Sequence, residues 1–335
     1  MPGAPINIGI LYETTSQPWG GVNSFFRNFK KYSEVDKRVK ISNKFSEADV
    51  ILTVGHYSGP GVIMKKWQLK NISRGLSLNN FLGRIIGRGD KKLTFRLDGL
   101  RRVYAPEASK SDDLLIENLK LADSAVFQSA FSKNSFLNEN ILFPEKHSII
   151  LNGADTDNFH PDKSSEFKSK YLRIVSNSWS SNLNKGFACI AEFSKIEKVR
   201  ISHIGNWPED IPSEQVRLLG IMDQEKIGDI LREADFLLFP SKNEACSNVV
   251  IEALASGLPV LYHNSGGNSE ICQGIRFGLP LPKNIQDPVE LNQLIEQAIS
   301  RHRSLRLEIL NNVETFSFRE CYEKYINHFE ELINS

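Results

Sequence analysis

A polar loop set between two apolar runs, with a short apolar helix beside it, is the feature that most narrows the fold of this chain. The stretch is Ala234–Glu270, ADFLLFPSKNEACSNVVIEALASGLPVLYHNSGGNSE. Read in order it gives an apolar strand, a polar loop, a short helix, a second apolar strand and a loop with paired glycines. Strand, helix and strand in that succession form a crossover unit, which points to a parallel sheet. The helix presents its free N–H groups and positive dipole end at the carboxyl edge of that sheet, and such an end attracts anions. Ser247 or Asn248 can serve as N-cap, Gly257 falls where a left-handed residue ends a helix, and Pro259 prevents its resumption. Glu244 lies in the loop, and Glu252 is the only charged residue of Val249–Ala255. Glu252 belongs to the second helical turn and leans back toward the anion end. A carboxylate there repels a phosphate unless it binds a hydroxyl pair on the same ligand, so the pattern suits a nucleotide or a sugar phosphate. The alternative is that Glu252 pairs with a neighbour such as Lys242 while Glu244 is merely solvated. Spacing alone leaves both open.

The 335 residues, 40% of them hydrophobic, suffice for two domains with ordinary cores. A net charge of +1 gives no general case for nucleic acid. Cys189, Cys246, Cys272 and Cys321 show no C-x-x-C and no Cys/His metal spacing, so they are expected to be reduced thiols of a cytoplasmic protein. The start, MPGAPINIGILYE, suits a first strand better than a signal peptide, and no run reaches the length of a membrane span.

Ile6–Tyr12 reads as a strand, followed by TTSQPWGGVNSFFRNFKKY, a glycine-containing loop leading into an amphipathic helix. Gly20 and Gly21 admit either a close phosphate or a simple turn. No G-x-G-x-x-G occurs, so the dinucleotide fingerprint is missing. Ala48–Val54 and Lys92–Leu97 read as further strands, which places His56 and Asp98 just past strand ends, where ligands gather in open parallel sheets. Residues 58–92 are strongly basic and interleaved with apolar side chains, fitting either a solvated helical face or a grip on an anionic acceptor or membrane surface. Leu121–Gln128 and His147–Leu151 close a first half. The loop ILNGADTDNFHPDKSSEF follows, and its Asp155–Thr156–Asp157 is read as loop-forming rather than metal-binding. A second series runs through Leu172–Trp179, a helix around Lys185–Gly186–Phe187, Val199–Gly205, Gln224–Ala234, the opening stretch, a helix over Asp287–Asn311 and a terminal amphipathic helix over Glu320–Asn334. The expected fold is α/β, with two Rossmann-like parallel-sheet domains facing across a cleft. The boundaries are 1–155 for an acceptor-binding domain, 156–315 for a donor-binding domain and 316–335 for a terminal helix packing back on the first.

NEACSNVVIEALASGLPVL followed by NSGGNSE resembles the donor-site signature of retaining GT-B glycosyltransferases, in the large family that includes sucrose-phosphate synthases and bacterial mannosyltransferases. QPWGGVNSF, ADSAVFQSAFSK, ILNGADTDNFHP, NKGF and LGIMDQEKIGDILREADFLLFPS fall in the matching order. The resemblance implies a nucleoside-diphosphate sugar as co-substrate, no metal and no cofactor, with a glycan or lipid-linked glycan as acceptor. It implies that Glu244 contacts the transferred sugar and that Glu252 holds the ribose hydroxyls. Lys185 would neutralise the diphosphate, and the N–H groups around Ser247, Asn248 and Val249 would take its distal phosphate. Gly266 and Gly267 belong to the same donor loop, and Gly20 and Gly21 would close from the first lobe. Relatives carry an arginine near the position of Trp179, so Lys185 is expected to act with another cation such as Arg96, Arg101 or Arg102. Asp98 joins Glu244 and Lys185 in the reacting set, placed in the acceptor cleft without a proton-transfer role. The acceptor side is expected to draw on His56, Lys65, Lys66, Arg96, Asp98, Arg101 and Arg102. The basic segment is the candidate contact with an anionic membrane, on the inner face of the cytoplasmic membrane. Two other functions remain open, a nucleotide-sugar epimerase of the same fold and an inactive nucleotide-sugar-binding module.

Overall fold

The computed structural model describes residues 4–15, 20–55, 90–103, 109–162 and 170–334. The chain divides into two units, Met1–Leu151 with Cys321–Ser335, and Asn152–Glu320. The first carries strands β1 (Ile6–Ile10), β2 (Val39–Ser42), β3 (Val50–Val54), β4 (Lys92–Leu97), β5 (Ser124–Phe127) and β6 (His147–Ile149). They form one sheet in the order β2-β1-β3-β4-β5-β6, with every pairing parallel. Helices α1 (Gly20–Val35), α2 (Ser109–Leu119) and α3 (Ala130–Asn138) belong to the same unit.

The second unit repeats the plan with β7 (Leu172–Ser178), β8 (Val199–Gly205), β9 (Val216–Gly220), β10 (Phe236–Phe239), β11 (Val260–Tyr262) and β12 (Gly278–Pro280). Its sheet order is β12-β11-β10-β7-β8-β9, again wholly parallel. Helices α4 (Phe187–Ser194), α5 (Gln224–Glu233), α6 (Asn248–Ala255), α7 (Asn268–Ile271) and α8 (Pro288–Asn311) connect and cover it. The strand order reverses between β7 and β10, and in open α/β sheets ligands bind beyond the carboxyl ends of the strands at such a reversal.

β3 and β10, VILTV and FLLF, are buried at every position, as strands covered on both faces must be. Three strands escape the sequence pattern: β2, β9 and β12. All are sheet edges, β12 has three residues, and β9 (VRLLG) leaves four of its five residues partly or fully exposed. An edge strand buried on one side only carries a weak apolar signal. The helix expected around Lys185 is a second difference. Lys185 ends a short 3-10 turn, Leu183–Lys185, and α4 starts only after Gly186, whose left-handed backbone (φ +78) separates the two.

The terminal helix α9 (Phe318–Ile333) begins in the second unit, and most of its length belongs to the first. Its Tyr322, Tyr325 and Phe329 share one helical face and pack on α1, with Phe29–Tyr322 centroids 5.1 Å apart and Phe25–Tyr325 5.0 Å apart. His328 is buried between the hydroxyls of Ser148 (2.8 Å) and Ser124 (3.1 Å), and burial pushes its imidazole pKa down to about 4. No helix among the described residues is long and apolar enough to cross a membrane.

Candidate active site

The second unit's reversal point gathers Lys185 after β7, and Glu244 and α6 after β10. Beyond β10 the chain turns through Pro240–Asn243, where Asn243 adopts a left-handed backbone (φ +57) and its N–H donates to Ser265 Oγ at 2.9 Å. Asparagine tolerates that conformation better than most residues. The turn presents Glu244, whose Oε1 accepts from Ser241 Oγ at 2.8 Å and forms an ion pair with Lys185 Nζ. Ser241 is buried, and the two charged side chains are only 23% and 22% exposed. Lys185 reaches the carboxylate because its own turn is fixed. Asn182 Oδ1 accepts from Asn184 N at 2.9 Å, and Asn184 O accepts from Lys242 N at 3.2 Å, tying that turn to the Glu244 loop.

The paired glycines close the loop from the other side. Gly267 N donates to Glu244 O at 2.8 Å. Gly266 sits at φ +66, and a Cβ on it would lie 2.3 Å from Glu244 O and 2.8 Å from Glu244 N. Only glycine fits this approach. Asn268 is buried and donates from Nδ2 to Ser241 O (3.2 Å) and His263 O (3.1 Å), joining the ends of β10 and β11.

Ser247 takes the N-cap position of α6, but its side chain makes no capping bond, and Asn248 is the first helical residue. Ser247 therefore leaves the N–H groups of the first turn without its side-chain cap. Glu252 is partly buried on this helix, and its carboxylate makes no hydrogen bond or ion pair among the described residues. Lys242 does not pair with it. Burial alone pushes the Glu252 pKa up to about 7. A carboxylate kept unpaired in a partly dry place costs stability.

The direction of that cost with pH follows from linkage. A carboxyl whose folded pKa is raised holds its proton longer in the native than in the unfolded state, so its penalty appears as pH rises from about 4.5 to about 7 and is full above 7. Glu252→Gln is therefore expected to stabilise the ligand-free protein at pH 8 by about 1–3 kcal/mol, with the difference vanishing near pH 4.5. Denaturant melts of both proteins across that range check this. A difference that does not vary with pH contradicts the assignment of the penalty to an ionised carboxylate.

The other expected residues are carried by the first unit. Gly20 and Gly21 start α1 in the first unit, with Gly20 at φ +52. Three residues into α1, Asn23 accepts from Thr15 N (2.9 Å) and donates to Thr15 O (3.1 Å). Arg96 is buried with its guanidinium 4.3 Å over the Phe25 ring, and Asp98 follows β4, partly buried. Arg102 engages Asp112 (3.0 Å), Asp113 (3.1 Å) and Glu139 (3.2 Å), and buried Asp112 also accepts the backbone N–H of Arg101 and Arg102. His56, Lys65, Lys66 and the basic segment through residue 89 lie outside the described residues. Asp155 accepts from Asp157 N at 3.3 Å and Asn158 Nδ2 at 3.3 Å, which closes its loop.

Sequence reasoning assigned no role to Ser241, Asn268 or Asn152. Ser241 had a usable signal, a small hydroxyl three residues before Glu244 at a strand end. Asn152 had none, because its partners lie more than 90 residues away.

Two parallel six-stranded sheets with helices in βα succession constitute the GT-B glycosyltransferase architecture. Sucrose-phosphate synthase from Thermosynechococcus elongatus superposes with a TM-score of 0.66 at 14% identity, covering 98% of this chain and 99% of that one. HepE from Anabaena, solved with UDP and glucose, gives 0.68 at 14% identity over 97% and 100%. Residues 182–301, which contain Lys185, Glu244, α6 and the paired glycines, match the family model described as glycosyl transferases group 1. The phosphatidylinositol N-acetylglucosaminyltransferase gpi3 subunit of Schizosaccharomyces pombe is 31% identical over 164 residues, 44% of this chain and 36% of that protein. The chain spans from 28% to 52% of the length of the curated relatives it matches.

Proposed function

We propose that the protein is a retaining glycosyltransferase that moves a hexose-type sugar from a nucleoside-diphosphate sugar to a hydroxyl of a glycan or lipid-linked glycan. The observation that carries this reading is the pairing of two unlike carboxylates within one group 1 domain. Glu244 is tied to a lysine and a serine, whereas Glu252 has no partner among the described residues and stands on a helix whose N-cap Ser247 makes no capping bond. Glu252, once ionised, accepts both ribose hydroxyls, which gives its unpaired state a purpose. The first-turn N–H groups of α6 take the distal phosphate, and Lys185 exchanges part of its interaction with Glu244 for the diphosphate. Glu244 then accepts from hydroxyls of the sugar.

In the transfer the anomeric carbon–phosphate oxygen bond breaks and a bond forms to the acceptor oxygen on the same face, with the acceptor proton passing to the departing phosphate oxygen. Lys185 and the helix end stabilise the charge that develops on that diphosphate. These two positive elements carry the compensation that a divalent ion supplies in other transferases, so activity is expected to survive EDTA. UDP-glucose is the first donor to try, because a structural neighbour was solved with UDP and glucose.

A panel of UDP, GDP and ADP sugars, each assayed for nucleoside-diphosphate release with and without glycan acceptors, tests the reading. Release that depends on an acceptor and yields the donor's anomeric configuration is expected. Conversion of donor sugar without acceptor, or tight donor binding without turnover, contradicts it.

A further inference from the structure

Asn152 opens the second unit, far in sequence from α6, yet it holds the start of that helix. Its Nδ2 donates to Asn248 Oδ1 at 2.8 Å and to the Cys246 carbonyl at 3.3 Å, while its backbone N–H donates to Cys246 Sγ at 3.4 Å. Both residues flanking Ser247 are thereby fixed from one side chain and its own amide. Asn152 is 8% exposed, and its footing is rigid. A Cβ on the next residue, Gly153, would lie 2.5 Å from Phe318 Cα, and Ala154 exchanges two backbone bonds, its N to Phe316 O at 2.8 Å and its O from Phe318 N at 2.7 Å.

An asparagine at the N-cap folds its side-chain oxygen onto the helix's own free N–H groups, a position Asn248 would take if the helix began one residue later. Here the oxygen of Asn248 accepts from Asn152 instead, and Ser247 contributes no side-chain cap. We infer that Asn152 is a positioning residue: by holding the Asn248 side chain off the N-terminus of α6, it keeps that end open for the distal phosphate of a nucleoside diphosphate. This rests on the donor-site reading above and adds a residue that acts through Asn248 without touching the ligand.

The consequence is selective. Loss of Asn152 weakens what the second phosphate contributes and spares the base and ribose. Calorimetric titration of the full chain with UDP, GDP and ADP, each beside its monophosphate, measures that contribution as a ratio of dissociation constants. The wild type is expected to bind one diphosphate at least about 10-fold more tightly than its monophosphate. Asn152→Ala is expected to weaken that diphosphate about 10-fold while changing monophosphate affinity by less than about twofold. Asn248→Ala removes the same bond from the other end, so it reports independently should Asn152→Ala fold poorly, and the double variant is expected to be no weaker than the worse single one. A wild-type preference that survives Asn152→Ala, equal weakening of both nucleotides, or strict additivity in the double variant overturns the inference alone. A wild type that does not favour any diphosphate over its monophosphate overturns the donor-site reading and the inference with it.

Discussion

Lys185→Ala is expected to lower kcat/KM about 1,000-fold, with most of the loss in kcat. The lysine stands at a fixed place, because its turn is locked by Asn182 and by the Lys242–Asn184 backbone bond before any ligand arrives. Its charge therefore needs little reorganisation to meet a departing diphosphate, and removal of one preorganised donor of this kind typically costs 10²- to 10³-fold. The variant also leaves Glu244 without its cation, though Ser241 still donates to it. Lys185→Arg keeps the charge but enlarges a head group that now fits against Glu244, so partial recovery of about 10-fold is the most it should give. Steady-state rates with a saturating acceptor check this. A loss confined to KM would show that Lys185 binds the donor without stabilising the leaving group.

Gly266→Ala is expected to lower kcat/KM about 100-fold by moving Glu244. Two effects combine at this position: a left-handed backbone that costs about 1–2 kcal/mol for a non-glycine residue, and a Cβ that would lie 2.3 Å from a carbonyl that cannot swing aside. The loop must shift, the Gly267–Glu244 bond is disturbed, and a displacement of about 1 Å at a reacting centre can cost about 10²-fold. Gly274→Ala separates the two causes. Gly274 has nearly the same backbone, φ +61, but nothing lies within 4 Å of where its Cβ would go. It should lose some stability and keep full kcat/KM. Equal losses of activity in both variants would mean that general destabilisation, and not the position of Glu244, explains the Gly266 result.

The parallel architecture was legible because βα succession is written in apolar runs of strand length, and β10 and α6 are the clearest of them. The edge strands β2, β9 and β12 were not, since each is short or buried on one side. At the site, spacing marked Glu244 and Glu252 but could not separate a paired from an unpaired carboxylate. That distinction depends on Glu252 having no partner among the described residues, which only three-dimensional placement reveals. Asn248 could be read as a cap because its residue type favours one, whereas the structure gives its oxygen to Asn152. Local propensity was overridden there by a contact from a distant segment. The arginines proposed to accompany Lys185 were legible only as charges, and the three carboxylates around Arg102 were not legible at all.

In the proposed reading Glu252 holds the nucleotide, at a cost to the empty protein. Titrating wild type and Glu252→Ala with UDP, GDP and ADP at pH 8 tests it most directly. The expected result is a dissociation constant raised about 30-fold or more for the preferred nucleotide, the loss of two hydrogen bonds to a charged acceptor, in a variant that melts no earlier than wild type without ligand. Wild-type affinity in Glu252→Ala would contradict the claim.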